Sequence, residues 1–166
     1  MAFFMKFVYH EFPPVYNSES KVLILGTMPS VKSRQLGFYY AHPQNRFWKI
    51  LFDLFEEEYS NDVEIKKQLL YQHHIALWDV LSSCEIENSS DVSIKNPTVH
   101  DMNYIIQQSN IKTIFTTGKK ATELYMRYCY PDTKIPCIYL PSPSPANCST
   151  IYEDLKKEYQ KILDYI

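Results

Sequence analysis

Asn45 closes the tetrapeptide HPQN and stands directly before the apolar run RFWKILFDLF. Its carboxamide can orient water through the carbonyl and donate to a developing negative charge through the NH₂ group, but it accepts no proton near neutral pH. Asn at this position is also a natural helix N-cap, and from the residue alone that is the simpler reading. Upstream lies GTMPS, residues 26–30, where Gly26 and Pro29 constrain the backbone and the peptide groups around Met28 can face a flat polar ligand. It is neither a phosphate-binding GK[ST] loop nor a GxGxxG turn. Between the two segments, Tyr39 or Tyr40 can stack on a ligand ring, and His42-Pro43 stiffens the chain ahead of the helix.

Asp79 interrupts the apolar stretch IALWDVL, which places it either at the end of a strand near a site or on an exposed edge. PSPSPAN, residues 141–147, fixes φ at three prolines and holds Ser142 and Ser144 between them. Hydroxyls held this way suit a phosphate, because little ordering remains to be done on binding, although a stiff connector has the same composition. Asn147 and Ser149 can reach a phosphate or help to cap the last helix. Arg46 can take a phosphate or an ion pair. His73 and His74 fall at a helix end, and His100 is expected on a helix surface. The chain has no GxSxG and no HExxH, so serine hydrolase, zincin and kinase chemistry lose support.

Strands alternating with helices must position these groups. Buried strands are expected at residues 21–25, 75–81, 112–116 and 135–140, and residues 82–97 read as polar and irregular. The connection 27–44 is long for a compact domain, which points to function. Helices are expected after Asn45, after an Asn61/Glu64 capping box followed by Ile65, Leu69 and Leu70, from Thr98/Asp101 to about Gln108, from Gly118 to about Tyr128, and after a Thr150/Glu153 box. Residues 1–20 read as an extended arm that packs as an edge or lid. Such a pattern makes an open parallel sheet with helices on both faces, in which the loops after the strands gather on one edge. That edge collects residues 26–45, 79–97, 117–119 and 141–148.

The 166 residues suit one domain, 1–166, and the apolar share of 45% with 22% charged is that of an ordinary globular chain. Tyr numbers 14 against 3 Gly, which suits flat ligands and wet interfaces. A net charge of −2 argues against holding nucleic acid by bulk electrostatics, leaving local contacts through Lys32, Arg34, Arg46, Lys119 and Lys120. Cys84, Cys129, Cys137 and Cys148 form no CxxC pair and read as buried free thiols in a reducing cytoplasm. The first residues lack the unbroken apolar run of a signal peptide, and no stretch approaches membrane-spanning length. A cytosolic monomer is expected.

In their order and spacing, GTMPSVKSRQLGFYYAHPQNRFW, ALWDVL and PSPSPAN resemble the uracil-DNA glycosylase superfamily, and within it the DNA-deoxyinosine (hypoxanthine-DNA) glycosylases. The resemblance runs from about Phe12 to the last helix. It implies a three-layer α/β/α sandwich on a four-stranded, mainly parallel sheet. The implied activity is hydrolysis of the N-glycosidic bond of hypoxanthine in DNA, without metal or other cofactor, on a nucleotide flipped out of the stack. The matching base-pocket positions are Gly26, Thr27, Met28, Pro29, Ser30 and the stacking Tyr40, with Asp79 beside them. Those for the DNA backbone and minor groove are Pro141, Ser142, Pro143, Ser144, Pro145 and Asn147. Where mismatch-specific uracil enzymes carry an Asn, this chain has Met28, whose thioether neither holds nor polarises water. The amide that the deoxyinosine family uses matches Asn45. Two alternatives stay open: an enzyme preferring uracil or xanthine, and a non-catalytic module that binds damaged bases.

Overall fold

The structure is a computed structural model that describes residues 6–10, 12–86 and 94–166. The runs predicted as buried strands pair side by side. β2 (Val22–Gly26) lies between β3 (Ile75–Asp79) and β6 (Thr113–Thr117), with β7 (Cys137–Leu140) outside β6. All three pairings are parallel. Val22, Leu23, Ile24 and Leu25 are fully buried, as befits a strand covered on both faces. Helices α2 (Phe47–Leu54), α3 (Val63–Gln72), α5 (Lys119–Leu124) and α7 (Tyr152–Tyr159) pack around this sheet, giving the expected α/β/α sandwich. On α2 the inward residues are Phe47, Trp48, Ile50, Leu51 and Phe52.

A second sheet is the main departure from the sequence reading. β1 (Lys6–Tyr9), β4 (Leu81–Ile86) and β5 (Lys95–Val99) form an antiparallel sheet in the order β1-β4-β5. Residues 82–97 are therefore not simply irregular; within that stretch, residues 87–93 lie outside the described residues. Serines, charges and Pro97 mask the two strands in sequence, and Pro97 fits because β5 is an edge strand. The described part of the N-terminal arm is an edge rather than a lid. Val8 pairs with Cys84, and Val15 exchanges backbone bonds of 3.0 and 2.9 Å with Leu77 at the margin of β3.

Several helix boundaries also move. The cap of α3 is Asp62, whose carboxylate accepts from the amides of Glu64 and Ile65, while Asn61 accepts from the Lys66 ammonium. Ile65 faces solvent and Lys66 is buried over the Trp48 ring. Thr98 belongs to β5, and Asp101 instead accepts from the Asn103 amide at the start of a short α4 (Asn103–Ile106). Beyond α5 the chain keeps turning through a π-helical segment (Tyr125–Cys129) into α6 (Tyr130–Thr133). α7 has no side-chain cap at its start, because Thr150 is engaged with Asn147. The long connection after β2 contains α1 (Val31–Leu36), capped by Ser30 and ended by Gly37 at φ 81°. Of the four cysteines, Cys84 and Cys129 are buried, whereas Cys148 is exposed.

Candidate active site

At the carboxyl ends of the parallel strands, register brings Gly26 of β2 opposite Asp79 of β3, and Thr117 of β6 beside Leu140 of β7. The loops leaving these ends enclose a cavity of about 560 Å³, within the range of small-ligand sites. Its wall includes Gly26, Thr27, Met28, Pro29, Ser30, Tyr40, Asn45, Asp79, Ser142, Pro143, Ser144 and Asn147. The predicted positions Pro141 and Pro145 belong to the same loop but do not line it. Tyr39, the other tyrosine expected to offer a stacking ring, lines it too, and Ser33, Thr117 and Ala146 line it without having been singled out as site residues. Among them, Thr117 carried a usable signal: a hydroxyl at the end of a buried strand.

The floor depends on the missing side chain of Gly26. A Cβ there would meet Asp79 Oδ1 at 2.5 Å and the Tyr40 hydroxyl at 3.1 Å. The Tyr40 and Thr117 hydroxyls are 3.1 Å apart, and Thr117 can donate to the Leu25 carbonyl at 3.4 Å. Tyr40 sits at φ 51° with one ring face stacked on Phe47, centroids 3.9 Å apart. Only its other face or its edge remains for a base. Burial, and next the Asp79 charge, push both the Tyr39 and Tyr40 phenols well above the usual tyrosine range, so neither ionises. The Tyr39 hydroxyl donates to the Pro13 carbonyl at 2.8 Å, tying the N-terminal arm to the site loop.

Asp79 is almost wholly buried. Its Oδ2 lies 2.8 Å from His10 Nε2, a partner that the sequence reading did not find. His100 is not on a helix surface. It stacks on Trp78 at 4.0 Å and its Nδ1 donates to the Asp79 carbonyl at 2.8 Å. Burial brings its pKa down to about 4, partly opposed by that bond, so the ring is neutral at ordinary pH.

Asn45 stands both at the start of α2 and in the cavity wall. Its Oδ1 accepts from the Phe47 amide at 2.9 Å, in the manner of a cap, and the residue lines the cavity. Its NH₂ makes no hydrogen bond to a described residue. Arg46 points the other way and pairs with no acid among the described residues. Its Nη1 donates to the Thr150 carbonyl at 2.6 Å, and its Nη2 donates to the Ser144 and Asn147 carbonyls at 3.0 and 2.9 Å. Its backbone amide donates to the Pro143 carbonyl at 3.0 Å. The residue after Asn45 thus holds the PSPSPAN loop against the start of α2.

Inside that loop, Ser142 Oγ accepts from the Ser144 amide and Ser144 Oγ from the Ala146 amide. Each hydroxyl keeps its own proton to donate. The Asn147 side chain is taken up internally, donating to the Ser142 carbonyl and the Thr150 hydroxyl and accepting from Ser149. Arg34 donates to the Pro29 carbonyl at 2.8 Å and stiffens the first loop. Among the described residues, no group of three or more His, Cys, Asp or Glu is placed to hold a metal ion. No helix among them is long and apolar enough to cross a membrane.

A parallel α/β sheet whose strand-end loops enclose a polar, aromatic-rimmed cavity defines a small-ligand site at the carboxyl edge of the strands. The sequence profile of the Uracil DNA glycosylase superfamily matches residues 13–166. A hypoxanthine DNA glycosylase of Methanosarcina barkeri is 31% identical over 114 residues, covering 68% of this chain and 72% of that protein. One from Methanosarcina acetivorans is 31% identical over 140 residues, 82% of this chain and 86% of the relative. A solution NMR structure from M. acetivorans, provisionally assigned as a uracil DNA glycosylase, superposes with a TM-score of 0.77 at 25% identity, covering 95% of this chain and 99% of that one. The chain belongs to the uracil DNA glycosylase superfamily and is a DNA glycosylase.

Proposed function

We propose that this glycosylase releases hypoxanthine from deoxyinosine in DNA, as the first, monofunctional step of base-excision repair. The observation that carries the reading is that Asn45 and Met28 line one cavity. By motif match, Asn45 corresponds to the amide that the deoxyinosine family uses, and Met28 to the Asn of the mismatch-specific uracil enzymes. The names of the two curated relatives support the same substrate.

The chemistry follows from the groups in the wall. Loss of a purine from deoxyribose passes through an oxocarbenium-like state while negative charge builds on the base. The Asn45 NH₂, without a partner among the described residues, donates to that charge as it develops. Ser142 and Ser144 donate their free protons to phosphates flanking the flipped nucleotide, in a loop already ordered by Arg46. The free face or edge of Tyr40 is the contact it offers the purine. Neutral tyrosines and a neutral His100 keep further charge away from the leaving group.

A panel of duplexes, each carrying one deoxyinosine, deoxyuridine or deoxyxanthosine, tests the substrate. Hypoxanthine should be released fastest, and Asn45→Ala should abolish that release while the protein stays folded. Faster release of uracil, or undiminished cleavage by Asn45→Ala, overturns the reading. Binding to deoxyinosine DNA with no abasic product would indicate a damage-binding module instead.

A further inference from the structure

Asp79 is a buried carboxylate with two unequal oxygens. Oδ2 is held at 2.8 Å by His10 Nε2, in a pair whose side chains are 0% exposed for His10 and 6% for Asp79. Oδ1 makes no hydrogen bond to a described residue and sits over Gly26, at the cavity floor. That oxygen is not sealed off from the cavity, so a donor that enters the cavity can reach it.

His10 is held as firmly as the carboxylate. It follows β1, and its backbone amide donates to the Ser82 carbonyl at 2.7 Å. Its ring packs among Phe12, Tyr39 and His100, with centroids 5.6, 5.8 and 4.8 Å away. Its Nδ1 is buried and has no hydrogen-bond partner among the described residues. A proton on that nitrogen would have nothing to bond, so the surroundings favour the tautomer with its proton on Nε2, which donates to Asp79. The neighbouring His100 bonds Asp79 at a different place, its Nδ1 donating to the backbone carbonyl and not to the carboxylate.

We infer that His10 is a positioning residue for Asp79, fixing one carboxylate oxygen so that the other accepts a proton from the attacking water. This rests on the glycosylase reading above and supplies what Asn45 lacks, since a carboxamide takes no proton. In the step, the water oxygen bonds to C1′ and its proton passes to Asp79 and then to solvent. The C1′–N9 bond breaks with its electron pair leaving on the base, which takes a proton from solvent. The products are an abasic deoxyribose and free hypoxanthine. A histidine directing a carboxylate, rather than the reverse, also brings the N-terminal strand into the site.

The test measures single-turnover base release and duplex affinity for His10→Phe, which keeps a ring, and His10→Gln, whose amide nitrogen reaches the position of Nε2. His10→Phe should slow release about 10- to 100-fold with affinity changed less than about threefold, and His10→Gln should recover most of the rate. In an Asp79→Asn background, His10→Phe should have no further effect. Equal losses in His10→Phe and His10→Gln, or the same factor with and without Asp79, overturn the inference. Should His10→Phe fail to fold, His10→Gln against His10→Asn decides: the asparagine is too short to reach Oδ2 and must be slower. A wild-type protein that releases another base but not hypoxanthine sinks only the substrate reading, and the comparison is then made on that base. A wild-type protein that releases none sinks both.

Discussion

Arg46 Nη2 donates to the Asn147 carbonyl at 2.9 Å, across 101 positions of sequence. The residue beside the site amide and the loop expected to grip phosphate are therefore one mechanical unit. The guanidinium is half-buried and meets no carboxylate among the described residues, and its protein partners are carbonyl oxygens. Replacing it by alanine strands those carbonyls and should lower stability by about 2–4 kcal/mol, read by urea denaturation. Arg46→Lys should recover only part, because one ammonium cannot span a fork of acceptors. A lysine variant as stable as the parent would show that the carbonyls need only a charge.

Asn45 carries a structural and a chemical load on different atoms, which lets them be separated. Asn45→Asp keeps the oxygen that accepts from the Phe47 amide and loses the NH₂. It should melt near the parent while releasing base about 100-fold more slowly. Asn45→Ala loses both and should melt lower by about 1 kcal/mol of cap energy as well. Equal activity of Asn45→Asp and the parent would remove the NH₂ from the chemistry.

What the sequence made legible follows from how each feature is encoded. β2, β3 and β6 are buried along nearly their whole length and β7 is a half-buried edge strand, yet each reads as a short apolar or β-branched run. The positions after such strands share an edge by topology, which is why GTMPS, Asp79 and PSPSPAN could be grouped before any contact was known. β4 and β5 are partly solvated and carry serines, lysine and proline, so their composition reads as loop. His10 was invisible because its partner is 69 positions away and its own strand is an N-terminal edge. Arg46 was ambiguous for a chemical reason: a phosphate and a cluster of carbonyls offer a guanidinium the same kind of oxygen.

Gly26 should tolerate no side chain. An alanine Cβ would come within 2.5 Å of Asp79 Oδ1, far inside van der Waals contact, and the strand is fixed on both sides. The carboxylate must shift and its bond to His10 must lengthen. Gly26→Ala should therefore lose at least about tenfold in base release. Asp79→Asn is not rescued by the glycine, so the double variant should be no slower than Asp79→Asn alone. Additive losses would place the damage elsewhere.

Binding to DNA should depend only weakly on salt. Of the five cations nearest the site in sequence, Arg34 and Arg46 donate to carbonyls and Lys120 pairs with Glu123. Lys32 and Lys119 are exposed and make no ion pair among the described residues. Two or three phosphates neutralised give a slope of log affinity against log salt of about −2 to −3. Lys119→Gln should flatten it by about one. A slope beyond about −5 would mean a larger basic footprint than these residues provide.

His100 makes stability depend on pH in a defined direction. Folded, its pKa is down at about 4, chiefly through burial, against an ordinary value near 6.5. Between those values the unfolded chain binds a proton at this site that the folded chain does not, so unfolding gains as pH falls. The stabilisation is complete above about pH 6.5 and disappears as pH drops towards 4. The Tm should therefore fall over this window, and His100→Phe, which keeps a ring against Trp78, should fall less steeply. The variant should also start lower at pH 7.5, because the Asp79 carbonyl loses its donor. Parallel Tm curves for the two proteins from pH 7 to 4 would show that His100 takes up its proton in the folded state as readily as in the unfolded one.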